Sequence, residues 1–274
     1  MPEIGFAFPN IDPVAISIGP LSIQWYGLAY LVSLVLGSLY IKKLVSTRKL
    51  WSAEPQLKSA AVEDMAFYTF LGIFIGGRLG YVLFYNFSYY LQNPLEVFSV
   101  WDGGMSIHGG VLFSALIILV YSRVKQIYYR QLFDVLMAAL PIGLFLGRIA
   151  NFVNGELYGH VTNVAWAVRF PAGGSVPRHP SQLYESLLEG LVSFVILWVL
   201  VWKFGGLKRP GYIAGVSAIL YGISRIFVEF FRVPDVQIGY YLGFVTQGMI
   251  LSIPMILLGI YFVASSKSAQ QKQV

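Results

Sequence analysis

The sequence contains no cysteine. Disulfides, thiolate metal sites and a covalent enzyme-cysteine intermediate are thereby excluded, and any thiol chemistry must use a thiol brought by a substrate. Charge is scarce as well: Asp, Glu, Lys and Arg make up 12% of the 274 residues, against 57% hydrophobic. No ordinary soluble domain has that balance, and the reading is an all-α polytopic membrane protein. Only three histidines occur. With no paired carboxylate or second histidine at ligand spacing, a metal site is not expected. Met1 to Gly19 has no Lys or Arg and carries Glu3 and Asp12, so it lacks the basic start of a signal peptide. The first apolar segment is therefore expected to persist as a span. No internal duplication emerges, since the clusters Gly76-Gly77-Arg78 and Gly147-Arg148 are too short to establish one.

Seven apolar stretches can cross the hydrocarbon: 21–41, 64–85, 108–122, 131–151, 183–203, 211–231 and 241–264. Alternate connections collect Lys42, Lys43, Arg48, Lys49, Lys58, Arg123, Lys125, Arg130, Lys203, Lys208, Arg209, Lys267 and Lys272, 13 of the 19 basic residues. The other side receives Arg169, Arg178 and Arg232, and Arg78, Arg148 and Arg225 fall inside spans. Excess basic charge marks the cytoplasmic face, which puts the N-terminus outside and the C-terminus in the cytoplasm. The net charge of +6 thus needs no nucleic-acid partner. Gly72, Gly76 and Gly80, and likewise Gly143 and Gly147, recur at four-residue spacing and offer ridges where helices can approach closely. Trp25, Tyr26, Tyr85, Phe87, Tyr89, Tyr90 and Trp101 suit an interfacial belt. The outer loops 86–107 and 152–182 are long and rich in Gly, Pro, Asn and aromatics, so the working face is read as outside. The tail from Ser265 is polar and expected to be disordered. The whole chain is read as one integral-membrane domain.

Against this apolar background the run Gly147-Arg148-Ile149-Ala150-Asn151-Phe152-Val153-Asn154-Gly155-Glu156-Leu157-Tyr158-Gly159 stands out. An ionisable group inside a span costs a few kcal/mol, on the order of 2.5 to 3.5, and marks a functional site by default. A bland alternative is an arginine that snorkels to the headgroups. A rise of about 1.5 Å per residue converts position into depth. Tyr26, Arg78, His108, Arg148, Arg225 and Glu229 then all fall between the outer boundary and roughly 10 Å below it. A transported solute would more naturally be met at the midplane, whereas this depth suits a substrate entering from the outer leaflet.

Three arginines at one depth need anionic partners. Glu229, at i+4 to Arg225, and Glu156, following Arg148, are expected to compensate part of the charge. The remainder attracts a phosphate, whose oxygens match the planar guanidinium fork. His108 lies between glycines in Asp102-Gly103-Gly104-Met105-Ser106-Ile107-His108-Gly109-Gly110, where the backbone is open to a ligand. It is a candidate general base.

The run from Gly147 through Gly159 resembles the signature of bacterial prolipoprotein diacylglyceryl transferases. Trp25-Tyr26-Gly27, Gly77-Arg78-Leu79-Gly80-Tyr81, His108-Gly109-Gly110, Arg178-His179-Pro180-Ser181-Gln182-Leu183-Tyr184-Glu185, and Arg225 with Val228-Glu229-Phe230-Phe231-Arg232 resemble the same family in the same order. The stretches 42–62 and 160–177 carry no such marker. The resemblance implies a seven-helix enzyme of the bacterial inner membrane, working as a monomer without a cofactor. Its reaction would move the diacylglyceryl group of phosphatidylglycerol to the lipobox cysteine of a prolipoprotein that still bears its signal peptide. Glycerol phosphate would be released. Arg148 and Arg225 would then hold the phosphate, with Arg78 secondary, and His108 would raise the thiolate fraction of the acceptor. Glu156 and Glu229 would orient arginines, Asn151 and Asn154 would position the headgroup or the loop, Gly159 would join the substrate-binding set, and Tyr26 would donate to substrate or place the lipid. The competing readings are an anion or lipid transporter, which needs a polar path to the cytoplasmic side, and a scaffold in which the ion pairs only fix helix register.

Overall fold

The computed structural model describes residues 5–9, 11–19, 21–99, 103–234, 240–241 and 243–266. Glu3, Trp101, Asp102, Lys267, Lys272 and the tail beyond Ser266 lie outside the described residues. Long apolar helices dominate: α1 Trp25–Ser46, α2 Val62–Phe84, α4 Ile107–Val124, α5 Tyr129–Val153, α8 Tyr212–Glu229 and α9 Gln247–Ser265, with a short α3 Phe87–Gln92 after α2. A further continuous helix, Ser181–Trp202, consists of α6 Ser181–Glu185, a π-helical stretch Ser186–Val192 and α7 Ser193–Trp202. Among the described residues six helices are long and apolar enough to cross a membrane, and His108–Val124 is a shorter apolar helix. The protein is a polytopic all-α membrane protein.

Two helix starts fall later than the apolar runs suggest. Leu21–Gln24 is a strand, β3, paired antiparallel with β2 Val14–Ile18 around a turn at Gly19, and α1 begins only at Trp25. Leu21-Ser22-Ile23-Gln24 alternates apolar and polar residues, a strand period rather than a helical one. Helix α9 begins at Gln247, after the Thr246 hydroxyl that accepts the Met249 N–H at 3.2 Å and caps it. A small parallel pair joins β1 Phe6–Ala7 to β4 Val168–Arg169.

The chain forms two compact units, Glu54–Leu132 and the remainder. In the first, α2 and α4 meet along the glycine ridge: a Cβ on Gly76 would stand 2.5 Å from the Gly109 carbonyl, and one on Gly109 2.2 Å from that of Gly76. The second ridge behaves differently. The Gly143 position is 3.8 Å from Ser33, an ordinary contact, and that of Gly147 has no neighbour within 4 Å among the described residues. In the larger unit, fully buried Asp134 accepts from the amides of Gly211 at 2.7 Å and Ala214 at 2.8 Å, so a carboxylate caps the positive end of α8. That anchoring fixes the helix which carries Arg225.

Candidate active site

In the larger unit three helices and the segment after α8 bring their charges together. Helix α5 supplies Arg148, the helix Ser181–Trp202 supplies Glu185 and Glu189, and α8 supplies Arg225 and Glu229, followed by Arg232. Glu185 joins two of the arginines: one oxygen accepts from Nη1 of Arg225 at 2.9 Å, and the other forms an ion pair with Arg148, 3.1 Å from its Nε, without a hydrogen bond. Glu189 takes Nη2 of Arg148 at 3.4 Å. Glu229 pairs with Nη2 of Arg225, one turn below it, and lies 3.6 Å from Nη1 of Arg232. Glu185, Glu189 and Glu229 are buried, whereas the arginine side chains keep 17%, 12% and 12% of their surface open at 148, 225 and 232. The acids are thus more deeply buried than the guanidinium groups they pair with. The Tyr221 hydroxyl, one turn before Arg225, lies within electrostatic reach of Arg148, Arg225, Glu185 and Glu189.

Burying that many charges is tolerable only where each is paired, because an isolated ion in a low-dielectric interior is very costly. Here the acids do more than neutralise. A carboxylate that touches a guanidinium edge also fixes its plane. Gly248 of α9 lies directly over one pair: a Cβ there would be 2.5 Å from Oε1 of Glu229 and 3.1 Å from Nε of Arg225.

The loop after α5 folds back on itself. Nδ2 of Asn151 donates to Oε1 of Glu156 at 2.7 Å, and the Glu156 amide donates to the Asn151 carbonyl at 3.2 Å. Gln182 donates to the Glu156 carbonyl and Ser181 to that of Leu157 at 2.9 Å, which ties the loop to the start of α6. The Asn154 amide continues the helix by donating to Ala150 at 2.9 Å, while its side-chain oxygen is buried with no hydrogen-bond partner among the described residues. Gly159 is threaded between strands of this loop: its amide donates to His179 at 2.8 Å, and a Cβ would stand 2.2 Å from the Phe231 carbonyl. Glu156 thus serves Asn151, and the partners of Arg148 are Glu185 and Glu189. The pairing of Arg225 with Glu229 follows the four-residue spacing.

The same loop holds the other two histidines. Nδ1 of His179 is 3.0 Å from the Tyr184 hydroxyl, which also accepts from Nε1 of Trp166 at 2.7 Å, and Nε2 of His160 is 3.0 Å from the Tyr240 hydroxyl. Burial, and then the proximity of His160, lower the pKa of His179, so it resists protonation. Arg178 donates to Gly173 at 3.1 Å and Gly159 at 3.3 Å and stacks over Tyr158. These residues shape the loop.

Tyr26 lies in the first turn of α1, where its hydroxyl accepts from Tyr30 at 3.1 Å. The Tyr30 hydroxyl is within electrostatic reach of Arg148 and Glu156.

Arg78 and His108 belong to the smaller unit. Buried Arg78 turns all five N–H groups to a loop: Nε to Val97 at 2.8 Å, Nη1 to Gly103 at 2.6 Å and Gly104 at 3.3 Å, Nη2 to Glu96 at 2.6 Å and Ser99 at 3.1 Å. Its ring contact with Tyr90 covers one face. With its donors turned to these carbonyls, Arg78 ties the segment 96–99 to Gly103 and Gly104. His108 is exposed in the first turn of α4. Ser106 caps that turn, its hydroxyl accepting the Gly109 N–H at 3.2 Å and its amide donating to Gly77 at 2.8 Å. Among the described residues no three His, Asp or Glu side chains are grouped so as to hold a metal ion.

Sequence reasoning named neither Glu185 nor Glu189 as site residues. The available signal was two acids four residues apart inside an apolar span, the same anomaly that marks Arg148.

Fold and network define a polytopic membrane protein that carries a carboxylate-braced arginine cluster at the ends of its helices. Residues 13–265 match the family described as prolipoprotein diacylglyceryl transferase. The chain is 51% identical over 263 residues to the phosphatidylglycerol–prolipoprotein diacylglyceryl transferase of Brucella anthropi, an alignment covering 95% of this chain and 94% of that one. It is 52% identical to the protein of the same name from Brucella canis, with the same coverage. This chain belongs to the prolipoprotein diacylglyceryl transferase family.

Proposed function

We propose that the chain transfers the diacylglyceryl group of phosphatidylglycerol to the lipobox cysteine thiol of a prolipoprotein, the first step of lipoprotein maturation. The thiol sulfur forms a thioether with the glyceryl carbon, the bond from that carbon to the phosphate oxygen breaks, and glycerol phosphate leaves with the electron pair. The thiol proton goes to a base. The single observation that carries the reading is the set of arginines paired with buried acids, each arginine keeping part of its side chain exposed. Such a set grips a phosphate and stabilises the charge that grows on it as the ester bond breaks.

In this reading Arg148 and Arg225 hold the phosphate. Glu229 orients Arg225, Asn151, Glu156 and Asn154 shape the headgroup loop, and Gly159 lets that loop close. Tyr26 places the lipid. A free thiol with a pKa of about 8.5 is only a few per cent ionised near neutrality, and His108 raises that fraction. The smaller unit holds His108 on the turn and loop that Ser106 and Arg78 fix. Both units belong to one catalytic domain, which works as a monomer. The N-terminus is outside, the C-terminus is cytoplasmic, and the site opens to the outer leaflet of the inner membrane.

The test is to incubate the purified protein with phosphatidylglycerol and a lipobox peptide and weigh the peptide by mass spectrometry. A diacylglyceryl adduct that disappears when the peptide cysteine is changed to serine is the expected result. No adduct, or an adduct on the serine peptide, overturns thiol transfer.

A further inference from the structure

We infer that Glu189 is a positioning residue that aims the guanidinium of Arg148. The inference rests on the transferase reading of this site. A guanidinium has two hydrogen-bonding edges: a side edge made of Nε–H and one N–H of Nη2, and an end edge made of the other Nη2 N–H and Nη1. Glu189 accepts from Nη2 at 3.4 Å and an oxygen of Glu185 stands 3.1 Å from Nε as an ion pair, so two acids from one helix face the side edge of Arg148. Nη1 has no partner among the described residues, and the end edge is left as a two-pronged fork for a phosphate.

The local backbone is built to put Glu189 there. It lies in the π-helical stretch Ser186–Val192, and π turns inside α-helices cluster at functional sites. The stretch is pressed against α5 one turn before Arg148. A Cβ on Gly190 would be 2.7 Å from the Cα of Phe145, and the Ser186 hydroxyl donates to the Phe145 carbonyl at 3.1 Å. Ser193 donates to the Leu188 carbonyl at 2.8 Å. Glu189 is 1% exposed, and its second oxygen has no hydrogen-bond partner among the described residues. A structural acid would gain by satisfying both oxygens or by being apolar, since a half-satisfied buried carboxylate destabilises a fold. Its position is explained by what it does to Arg148. Without Glu189, Glu185 alone would hold that arginine, and the guanidinium could pivot to offer Glu185 the edge meant for the phosphate.

The experiment is a double-mutant cycle of Glu189→Gln and Arg148→Lys, read as steady-state transfer to the lipobox peptide, giving kcat and the KM for phosphatidylglycerol for each variant. Gln keeps the shape and loses the charge. Glu189→Gln alone should lower kcat about tenfold with a smaller change in KM, because an aimed fork matters most as charge develops. In the Arg148→Lys background it should add less than about twofold, since its effect passes through Arg148. An equal factor in both backgrounds makes Glu189 merely structural and overturns the inference. If Glu189→Gln does not accumulate as folded protein, Glu189→Asp, which keeps the charge one methylene back, enters the same cycle with the same two outcomes. A parent protein that makes no adduct rejects the transferase reading itself. A parent that transfers, with equal factors in both backgrounds, rejects only the role of Glu189.

Discussion

Glu185 bridges Arg148 and Arg225, one oxygen 3.1 Å from the first and the other 2.9 Å from the second, with none of its side chain exposed. It is the point at which α5, α6 and α8 share charge. Glu185→Gln leaves two guanidinium groups facing each other around a neutral amide. Breaking a buried pair from one side costs about 3–5 kcal/mol. Thermal unfolding in detergent should show a drop of several degrees, and an unchanged midpoint would place the network outside the stabilising core.

A methyl group tests the packing over the second pair. Gly248→Ala puts a carbon 2.5 Å from Oε1 of Glu229, so the pair with Arg225 must shift. Misplacing a catalytic group by an ångström costs on the order of a hundredfold in rate. Transfer should fall strongly, whereas Gly147→Ala, which meets no neighbour within 4 Å among the described residues, should leave the unfolding midpoint unchanged or raised. Equal behaviour of the two variants would contradict the packing argument.

Arg78→Lys keeps the charge and loses the planar fork. Three rotatable N–H groups cannot serve the five carbonyls of Glu96, Val97, Ser99, Gly103 and Gly104. Amide hydrogen exchange across 94–99 should speed up while α5 and α8 keep their protection. Unchanged exchange in the loop would remove the clamp role.

His108→Asn should hurt most where the acceptor thiol is protonated. A base is needed below the thiol pKa of about 8.5, and above it the thiolate forms unaided. The ratio of variant to parent transfer should therefore rise from pH 6.5 to 9, and a flat ratio argues that His108 only donates a hydrogen bond.

Much of this was readable in the chain. The membrane helices are long apolar runs, the α2–α4 contact follows from Gly72, Gly76 and Gly80, and the Arg225 to Glu229 pair follows from one helical turn. Arg148 announces itself by sitting where hydrocarbon should be. What was hidden has a common cause: it depends on distant backbone. The π-helical stretch that carries Glu189 packs on Phe145 through Gly190 and Ser186, a contact between segments about forty residues apart. Arg78 reads as a free cation in sequence because its partners are carbonyls, which every residue carries. The hairpin at Leu21–Gln24 was masked by apolar residues whose strand alternation is only four residues long.

The arginine fork itself is tested most directly by Arg148→Lys and Arg225→Lys, each assayed for transfer from phosphatidylglycerol to the lipobox peptide beside a thermal-unfolding control. Both should insert and unfold near the parent's temperature with transfer reduced about a hundredfold or more, because Lys preserves charge and not the two-pronged geometry. Near-parental turnover in both would contradict a phosphate held by these two guanidinium groups.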